Sequence, residues 1–372
     1  MKRLAFFSVI FFALAFWGRG QVNLVVNPSF EQLYSCPNNA GQIDSVIGWN
    51  ILLGGGGGNP DLYNVCCTLP SECGVPTQSD YNTSQYPHSG NGYAGIDAAN
   101  SAYPYNRREY IQNKLKNTLI INHSYCVTFY ASLSDQCTAY VTPLGAYFDD
   151  GSVMTFSYMG IAYANLSHQI INPQIINNTQ VLNDKINWMK ISGFFTASSN
   201  NFEYITIGNF FPDSTSNIVI TGGNPNNWGC YYYIDDVSVI DIDTHAKAGK
   251  DILIHPGDST FIGRPSEVGL DEDCIWFVNG IPIDTIAGFW VKPDTTTTYV
   301  LQQTICGNIK YDTITVTVSG VGVQEYNTGN NWVHLFPNPA TTQINIETNS
   351  AISEIIITDI SGKTILKQTV NN

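Results

Sequence analysis

Positive charge is scarce in this chain of 372 residues. Its 16 Lys and Arg stand against 30 Asp and Glu, a net charge of −14, and charged residues make up only 12% of the whole. No basic cluster is present to meet a phosphate backbone or an anionic bilayer, so nucleic acid is not an expected partner. Helical periodicity is missing as well. After the first twenty residues, no apolar repeat at helical spacing lasts more than two turns. Long apolar runs are confined to the N-terminus, so no later stretch is long and apolar enough to span a bilayer as a helix. Catalytic signatures are also lacking: there is no nucleophile elbow, no His-Glu-x-x-His and no phosphate loop. The five glycines at 54–58 have no following Lys-Ser or helix, and read as a loop.

What is there fits an exported all-β protein. Lys2 and Arg3 precede an apolar run from Leu4 to Trp17, with Gly18 and Gly20 after it, the pattern of a signal peptide over residues 1–20. The run of 14 residues is shorter than the roughly 20 needed to span a bilayer. Removing Lys2, Arg3 and Arg19 with it leaves 16 − 3 = 13 basic residues against 30 acidic ones, a net charge of −17. Nine cysteines in an exported chain are expected in disulfides. Cys66, Cys67 and Cys73 lack the histidine or further Cys-x-x-Cys that a zinc site would need. The odd count leaves at least one thiol unpaired or paired between chains. Strand-like segments at 125–133, 144–148, 188–196, 204–210 and 231–242 are rich in aromatic and β-branched residues and bounded by Gly, Asn, Asp or Pro.

Three regions follow the signal peptide, and each resembles a known family. The C-terminal segment reads His334-Leu335-Phe336-Pro337-Asn338-Pro339-Ala340, then Gln343-Ile344-Asn345-Ile346, then Ile355-Ile356-Ile357-Thr358-Asp359-Ile360-Ser361-Gly362-Lys363. The prolines exclude helix, Ile344 and Ile346 alternate with polar residues, and 359–363 reads as a turn. This segment, 334–372, closely resembles the type A C-terminal sorting domain of the type IX secretion system. The resemblance implies export to the cell surface of a Bacteroidota cell and contact with that machinery. The family pattern continues with a Gly-x-Tyr strand and a basic strand that do not appear before Asn372, so it implies a shortened sorting domain.

Residues 21–243 open with Asn23-Leu24-Val25-Val26-Asn27-Pro28-Ser29-Phe30-Glu31 and close with Tyr233-Ile234-Asp235-Asp236-Val237-Ser238-Val239. These ends resemble the jelly-roll carbohydrate-binding modules, in which the first and last strands run side by side. Residues 244–319 contain Cys274-Ile275-Trp276, Thr298-Tyr299-Val300-Leu301 and a final strand over 311–318. They resemble an immunoglobulin-like or PKD-like module. Its only cysteines are Cys274 and Cys306, which are expected to pair with each other. The Gly- and Asn-rich stretch 320–333 reads as a linker. The expected fold is thus all-β: a jelly-roll-like sandwich, an immunoglobulin-like domain and a small sorting domain.

Candidate sites are few. Alternation in the closing strand puts Asp235 on an apolar face, where a lone carboxylate needs neutralising, and turns Asp236 away. The same alternation sends the two carboxylates of Asp149-Asp150, and of Asp235-Asp236, to opposite faces, so neither pair is expected to flank one bond as glycosidase carboxylates do. The jelly-roll resemblance implies that Glu31 and Asp235 contribute to a structural calcium site; alternatively, both accept backbone hydrogen bonds or face solvent. Tyr81, Tyr86, Tyr93, Tyr103, Tyr105 and Trp228 lie in polar loop regions, where rings can stack on sugar faces or simply cover the sandwich edges. Tyr86, Tyr93 and Trp228 are the candidate ligand-binding residues. The function these features suggest is a non-catalytic glycan-binding or adhesion module. An exported hydrolase with its active site in the 21–243 loops, and a structural surface component, are the alternatives.

Overall fold

The structure is a computed structural model. It describes residues 20–51, 59–68, 73–76, 85–101, 108–152, 172–177, 179–222, 229–319, 332–338, 340–359 and 361–370. The signal-peptide reading, the glycine run, most of the 320–333 linker, Tyr81, Tyr103, Tyr105 and Trp228 lie outside the described residues. Contacts divide the chain into two compact units, 1–319 and 320–372. Among the described residues no helix is long and apolar enough to cross a membrane.

The first unit begins with a jelly-roll-like sandwich of ten strands. These are β1 (Trp49–Ile51), β2 (Asp61–Asn64), β3 (Gly92–Asn100), β4 (Ile111–Lys114), β5 (Ser124–Leu133), β6 (Gly145–Asp149), β7 (Ile175–Ile176), β8 (Met189–Thr196), β9 (Tyr204–Gly208) and β10 (Gly229–Asp241). One antiparallel sheet has the order β1-β4-β9-β6-β7, the other β2-β3-β10-β5-β8. Alternation decides what is buried between them. Val127, Phe129 and Ala131 of β5 face Ile205 and Ile207 of β9 and Phe148 of β6 in one core, where the Phe148 and Phe195 rings lie 4.7 Å apart. The first and last segments meet as their sequences led us to expect. Asn23 bridges Ile240, and its side-chain oxygen accepts the N–H groups of Val25 and Val239. Trp49 closes that end by packing its ring at a tilt on Phe30 at 4.6 Å and donating its indole N–H to the Asn27 carbonyl.

A second, smaller sandwich follows within the same unit. Its strands are β11 (Ile252–Ile254), β12 (Thr260–Gly263), β13 (Cys274–Val278), β14 (Ile281–Asp284), β15 (Gly288–Val291), β16 (Thr297–Ile305) and β17 (Asn308–Val318), arranged as β11-β17-β16-β13-β14 and β12-β15. Trp276 is fully buried at its centre, its indole N–H donating to the Ile286 carbonyl. This sandwich packs on the outer face of the β2-β3-β10-β5-β8 sheet. Leu270 and Ile305 join Cys126, Ile240 and Ile242 in a cluster that spans both. Gly269, at φ +79°, lies where any side chain would overlap Ser238. Asn23 donates its backbone N–H to Glu267 and its amide to the Val268 carbonyl.

The expected Cys274–Cys306 bond is not formed; Cys306 pairs with Cys126 instead. Register explains why. Cys274 on β13 lies opposite Gln303 on β16, whereas Cys306 sits three residues further on, in the turn into β17. That turn points at β5, and a Cα–Cα distance of 5.8 Å suits a disulfide. Cys274 is buried and free, donating its S–H to Gln303 Oε1 and the Leu270 carbonyl. Cys36–Cys66 and Cys67–Cys73 are also bonded, and Cys137 and Cys230 are free and buried.

In the second unit β18 (Val333–Phe336) pairs with β19 (Asn345–Thr348), and β20 (Glu354–Thr358) with β21 (Thr364–Thr369). The 359–363 turn forms as its sequence suggests: Asp359 Oδ1 accepts the N–H groups of Ser361 and Lys363, and Gly362 takes φ +83°. None of the described residues of this unit is buried.

Non-reducing peptide mapping is expected to recover Cys126 linked to Cys306, with Cys274 as a free thiol. The bond spans 180 residues, so Cys306→Ser is expected to lower stability by up to about 5 kcal/mol on the chain-entropy account. A Cys274–Cys306 peptide in the map contradicts the assignment.

Candidate functional site

The site is organised by an irregularity in β10. This strand pairs with β5 from Tyr232 to Asp235 and again from Ser238 to Asp241, with a register break between. At the break Asp236 adopts φ +48°, a left-handed conformation. Strict alternation ends there, so the expectation that Asp236 faces away from Asp235 is incorrect: a bulge sends both carboxylates to one turn, residues 85–92. Asp235 Oδ2 accepts the N–H groups of His88 and Ser89, at 2.9 and 3.2 Å. Asp236 takes the side chains of the same two residues, His88 Nδ1 at 2.5 Å and Ser89 Oγ at 2.7 Å. Burial, and then the neighbouring Asp236, push the Asp235 carboxyl well above the usual range, while the N–H groups of Asp236, Ser89 and His88 pull the other way. The Asp149-Asp150 pair keeps its alternation, one carboxylate buried and the other exposed.

Glu31 holds the far end of this turn. Its carboxylate accepts Asn91 N–H at 2.6 Å, the Asn91 amide at 2.9 Å and Gly92 N–H at 3.1 Å. Asp235 is likewise surrounded by donors: besides His88 and Ser89, the Ser29 hydroxyl and the Asp236 N–H reach Oδ1. N–H and O–H groups already satisfy both carboxylates, one at each end of the turn. The arrangement matches the alternative reading, in which both carboxylates accept backbone hydrogen bonds.

The anchored turn carries rings onto the sheet's outer face. The His88 imidazole stacks on Tyr130 of β5 at 3.7 Å, with Trp188 edge-on at 6.1 Å. The Trp188 indole N–H donates to the Tyr86 carbonyl, and the Tyr86 ring is 62% exposed. Tyr130, opposite both Asp235 and Lys190 in register, donates its hydroxyl to Glu272 of the second sandwich, which also pairs with Lys190 at 2.5 Å. Burial alone would raise the Glu272 carboxyl, but hydrogen bonds from Lys190 and Tyr130 hold it below its usual value. Next to this pair lies a polar cleft of about 140 Å3, lined by Lys190, Ser192, Glu272, Asp273 and Thr304 among others. Aromatic faces from one sandwich and carboxylates from the other therefore meet along a seam.

The candidate residues divide unevenly. Tyr86 is on the ledge. Tyr93 is not available to a ligand: it is fully buried, stacked on Tyr63 at 5.1 Å and edge-on to Tyr233 at 5.1 Å. Gly95 makes room for this layer, since a methyl there would overlap the Tyr231 hydroxyl. Trp228 lies outside the described residues. Sequence reading missed His88, Tyr130, Trp188 and Glu272. Period-2 alternation in β5 marks Tyr130 as outward-facing, and Pro87-His88-Ser89-Gly90 is a turn sequence. No local signal brings Glu272 to them.

Residues 334–372 match the family described as "Secretion system C-terminal sorting domain". This segment is a type IX secretion sorting domain. The protein is accordingly exported, to the cell surface or the extracellular space. No curated protein matches the chain. Among solved structures, the chain is similar to the CBM22-1 xylan-binding domain from Paenibacillus barcinonensis, at 12% identity and TM-score 0.29 over 57% of this chain and 90% of that one. It is similar to the CBM22-1-CBM22-2 tandem domain from the same organism, at 12% identity and TM-score 0.31 over 77% and 62%. It is also similar to a cleaved adhesin domain of Lys-gingipain from Porphyromonas gingivalis, at 14% identity and TM-score 0.23 over 42% and 78%. At these values the strand order, not the likeness, identifies the sandwich.

Asp235→Ala and Asp236→Ala are each expected to cost about 1–3 kcal/mol, because each removes a buried acceptor of charge-assisted hydrogen bonds from the 85–92 turn. An Asp236 variant as stable as wild type refutes the bulge account. The Asp235 carboxyl is raised in the folded state, so its contribution is fully present below the ordinary value of 3.8 and is lost as pH rises through the folded value. The stability gap between wild type and Asp235→Ala should therefore narrow as pH rises above the ordinary value of 3.8, as urea denaturation curves can measure; a gap that widens reverses the sign.

Proposed function

We propose that this secreted protein is a non-catalytic glycan-binding or adhesion module, and that the ligand sits on the ledge of Tyr86, His88, Tyr130 and Trp188 along the seam between the sandwiches. The observation that carries this reading is the partly buried Trp188 ring, held between the exposed Tyr86 and the stacked His88–Tyr130 pair beside a cleft of carboxylate, amine and hydroxyl groups. Flat apolar rings with polar neighbours suit a pyranose, whose C–H faces stack while its hydroxyls hydrogen-bond. On this reading residues 1–20 are a signal peptide and 244–319 an immunoglobulin-like spacer that also completes the site with Glu272 and Asp273.

The hydrolase alternative would use the buried pair Asp235 and Asp236 with His88. Those carboxylates accept the backbone and side-chain donors of the 85–92 turn, and His88 Nδ1 is taken by Asp236. Ser89 Oγ donates to Asp236 rather than to the imidazole, so no nucleophile–base pair is set up.

The test is a glycan array probed with the full chain and with Trp188→Ala. Binding to a defined set of glycans, weakened about tenfold or more in the variant, is the expected result. Equal binding by both proteins removes the ledge as the site. Release of reducing ends from any bound glycan favours the hydrolase.

A further inference from the structure

A second cluster of side chains lies at the other end of the β5–β10 ladder. Among the described residues, one group of three His, Cys, Asp or Glu side chains has its ligand atoms within 4.8 Å of one another: His123, Asp241 and Asp243. Register brings them together. Tyr125 pairs with Asp241 at the last rung of β5 against β10. Beyond it the strands remain side by side, since Ile242 N–H donates to the Ser124 carbonyl at 2.9 Å and Ser124 N–H to Asp243 Oδ2 at 2.7 Å. His123 therefore falls opposite Asp243. Residues two apart share a face, so His123, Tyr125, Asp241 and Asp243 all project the same way.

The backbone holds this arrangement on both sides. His123 closes a turn by donating its N–H to Ile120, while its carbonyl accepts Ala197 N–H. Asp243 N–H donates to Asp241 Oδ1, and the Thr244 hydroxyl to the Asp241 carbonyl. His123 Nδ1 lies 2.6 Å from Asp241 Oδ2, with side-chain exposures of 34% and 13%, so the pair is partly sheltered but open to an incoming ion. Beside it a cavity of about 280 Å3, lined by Val22, Leu24, Ile120, Tyr125, Asp241 and Thr244, leaves room on the free side.

We propose that His123, Asp241 and Asp243 bind a divalent first-row transition cation, with zinc the best match. One imidazole nitrogen and two carboxylate oxygens form a mixed set that favours zinc over the all-oxygen shells of calcium or magnesium. Zinc bonds of about 2.0–2.2 Å place neighbouring ligand atoms about 3.3–3.6 Å apart, so the His123–Asp241 contact has only to open by about 1 Å. The ion displaces the proton between them, and the fourth position, toward the cavity, is filled by water. This site clamps the end of β10 where the chain leaves for the second sandwich. It is independent of the glycan ledge, which the bulge at Asp235 separates from it along the strand.

The experiment uses the full chain, stripped with chelator, dialysed and titrated with zinc chloride by calorimetry and by thermal melting. One saturable binding event with a rise in melting temperature is expected. His123→Ala should abolish the rise and weaken zinc binding by at least about tenfold. Asp243→Asn keeps an oxygen for Ser124 N–H while removing the charge, and should also weaken binding while melting like the wild-type apoprotein. His88→Ala should bind zinc as wild type does. Absence of a zinc-dependent melting shift in wild type, or the same shift in both cluster variants, overturns the proposal.

Discussion

Two adjacent carboxylates aimed at one turn set the geometry of the first sandwich. A regular strand would bury Asp235 and expose Asp236, leaving a buried charge with few donors and a turn with nothing to hold it. The left-handed Asp236 breaks the alternation, and the 85–92 turn then delivers four groups to the pair: two backbone N–H groups, an imidazole nitrogen and a hydroxyl. Glu31 secures the other end of the turn from the first segment of the chain. The opening motif, the middle of the domain and the closing strand are thus joined at one place. His88 can stack on Tyr130 only because that join fixes its ring.

The seam between the sandwiches depends on the same sheet. Cys126, Thr128 and Tyr130 lie on the outer face of β5, and each meets a different kind of partner. Cys126 is bonded to Cys306, Thr128 shares a hydrogen bond with Ser192, and Tyr130 donates to Glu272. A small apolar cluster of Cys126, Ile240, Ile242, Leu270 and Ile305 lies beneath. The second sandwich is therefore joined to the first by a covalent bond, a hydrogen bond and an apolar cluster, and is not a passive extension of the chain.

Much of this architecture was legible in residue order. The Asn-Pro-Ser-Phe-Glu opening and the Ile-Asp-Asp-Val closing segment do lie side by side, through Asn23 and Ile240. The Asp359–Lys363 turn and its flanking strands follow from local propensity. Where reading failed, the cause was non-local or a break in period. Alternation misplaced Asp236 because a bulge is invisible to a period of two. The Cys274–Cys306 pairing assumed that cysteines close in sequence are close in space, whereas register places Cys274 against Gln303 and turns Cys306 toward another sheet. Tyr93 looked like a loop aromatic, yet it is the second residue of β3 and packs under the turn it follows. Glu272 carried no signal at all, because its partners are more than eighty residues away in the chain.

The Cys126–Cys306 bond also decides how the molecule responds to pulling. A pull applied to the C-terminal end of the first unit enters it through β17. Tension arriving along β17 reaches Cys306 and crosses directly to β5. The segment between the two cysteines, including β10 and most of the second sandwich, forms a closed covalent loop that such tension cannot straighten. Under such a load the chain can lengthen only through residues outside that loop, so Tyr130, Trp188 and Glu272, which lie within it, stay together, while the 85–92 turn, which lies before Cys126, depends on its bonds to Asp235 and Asp236.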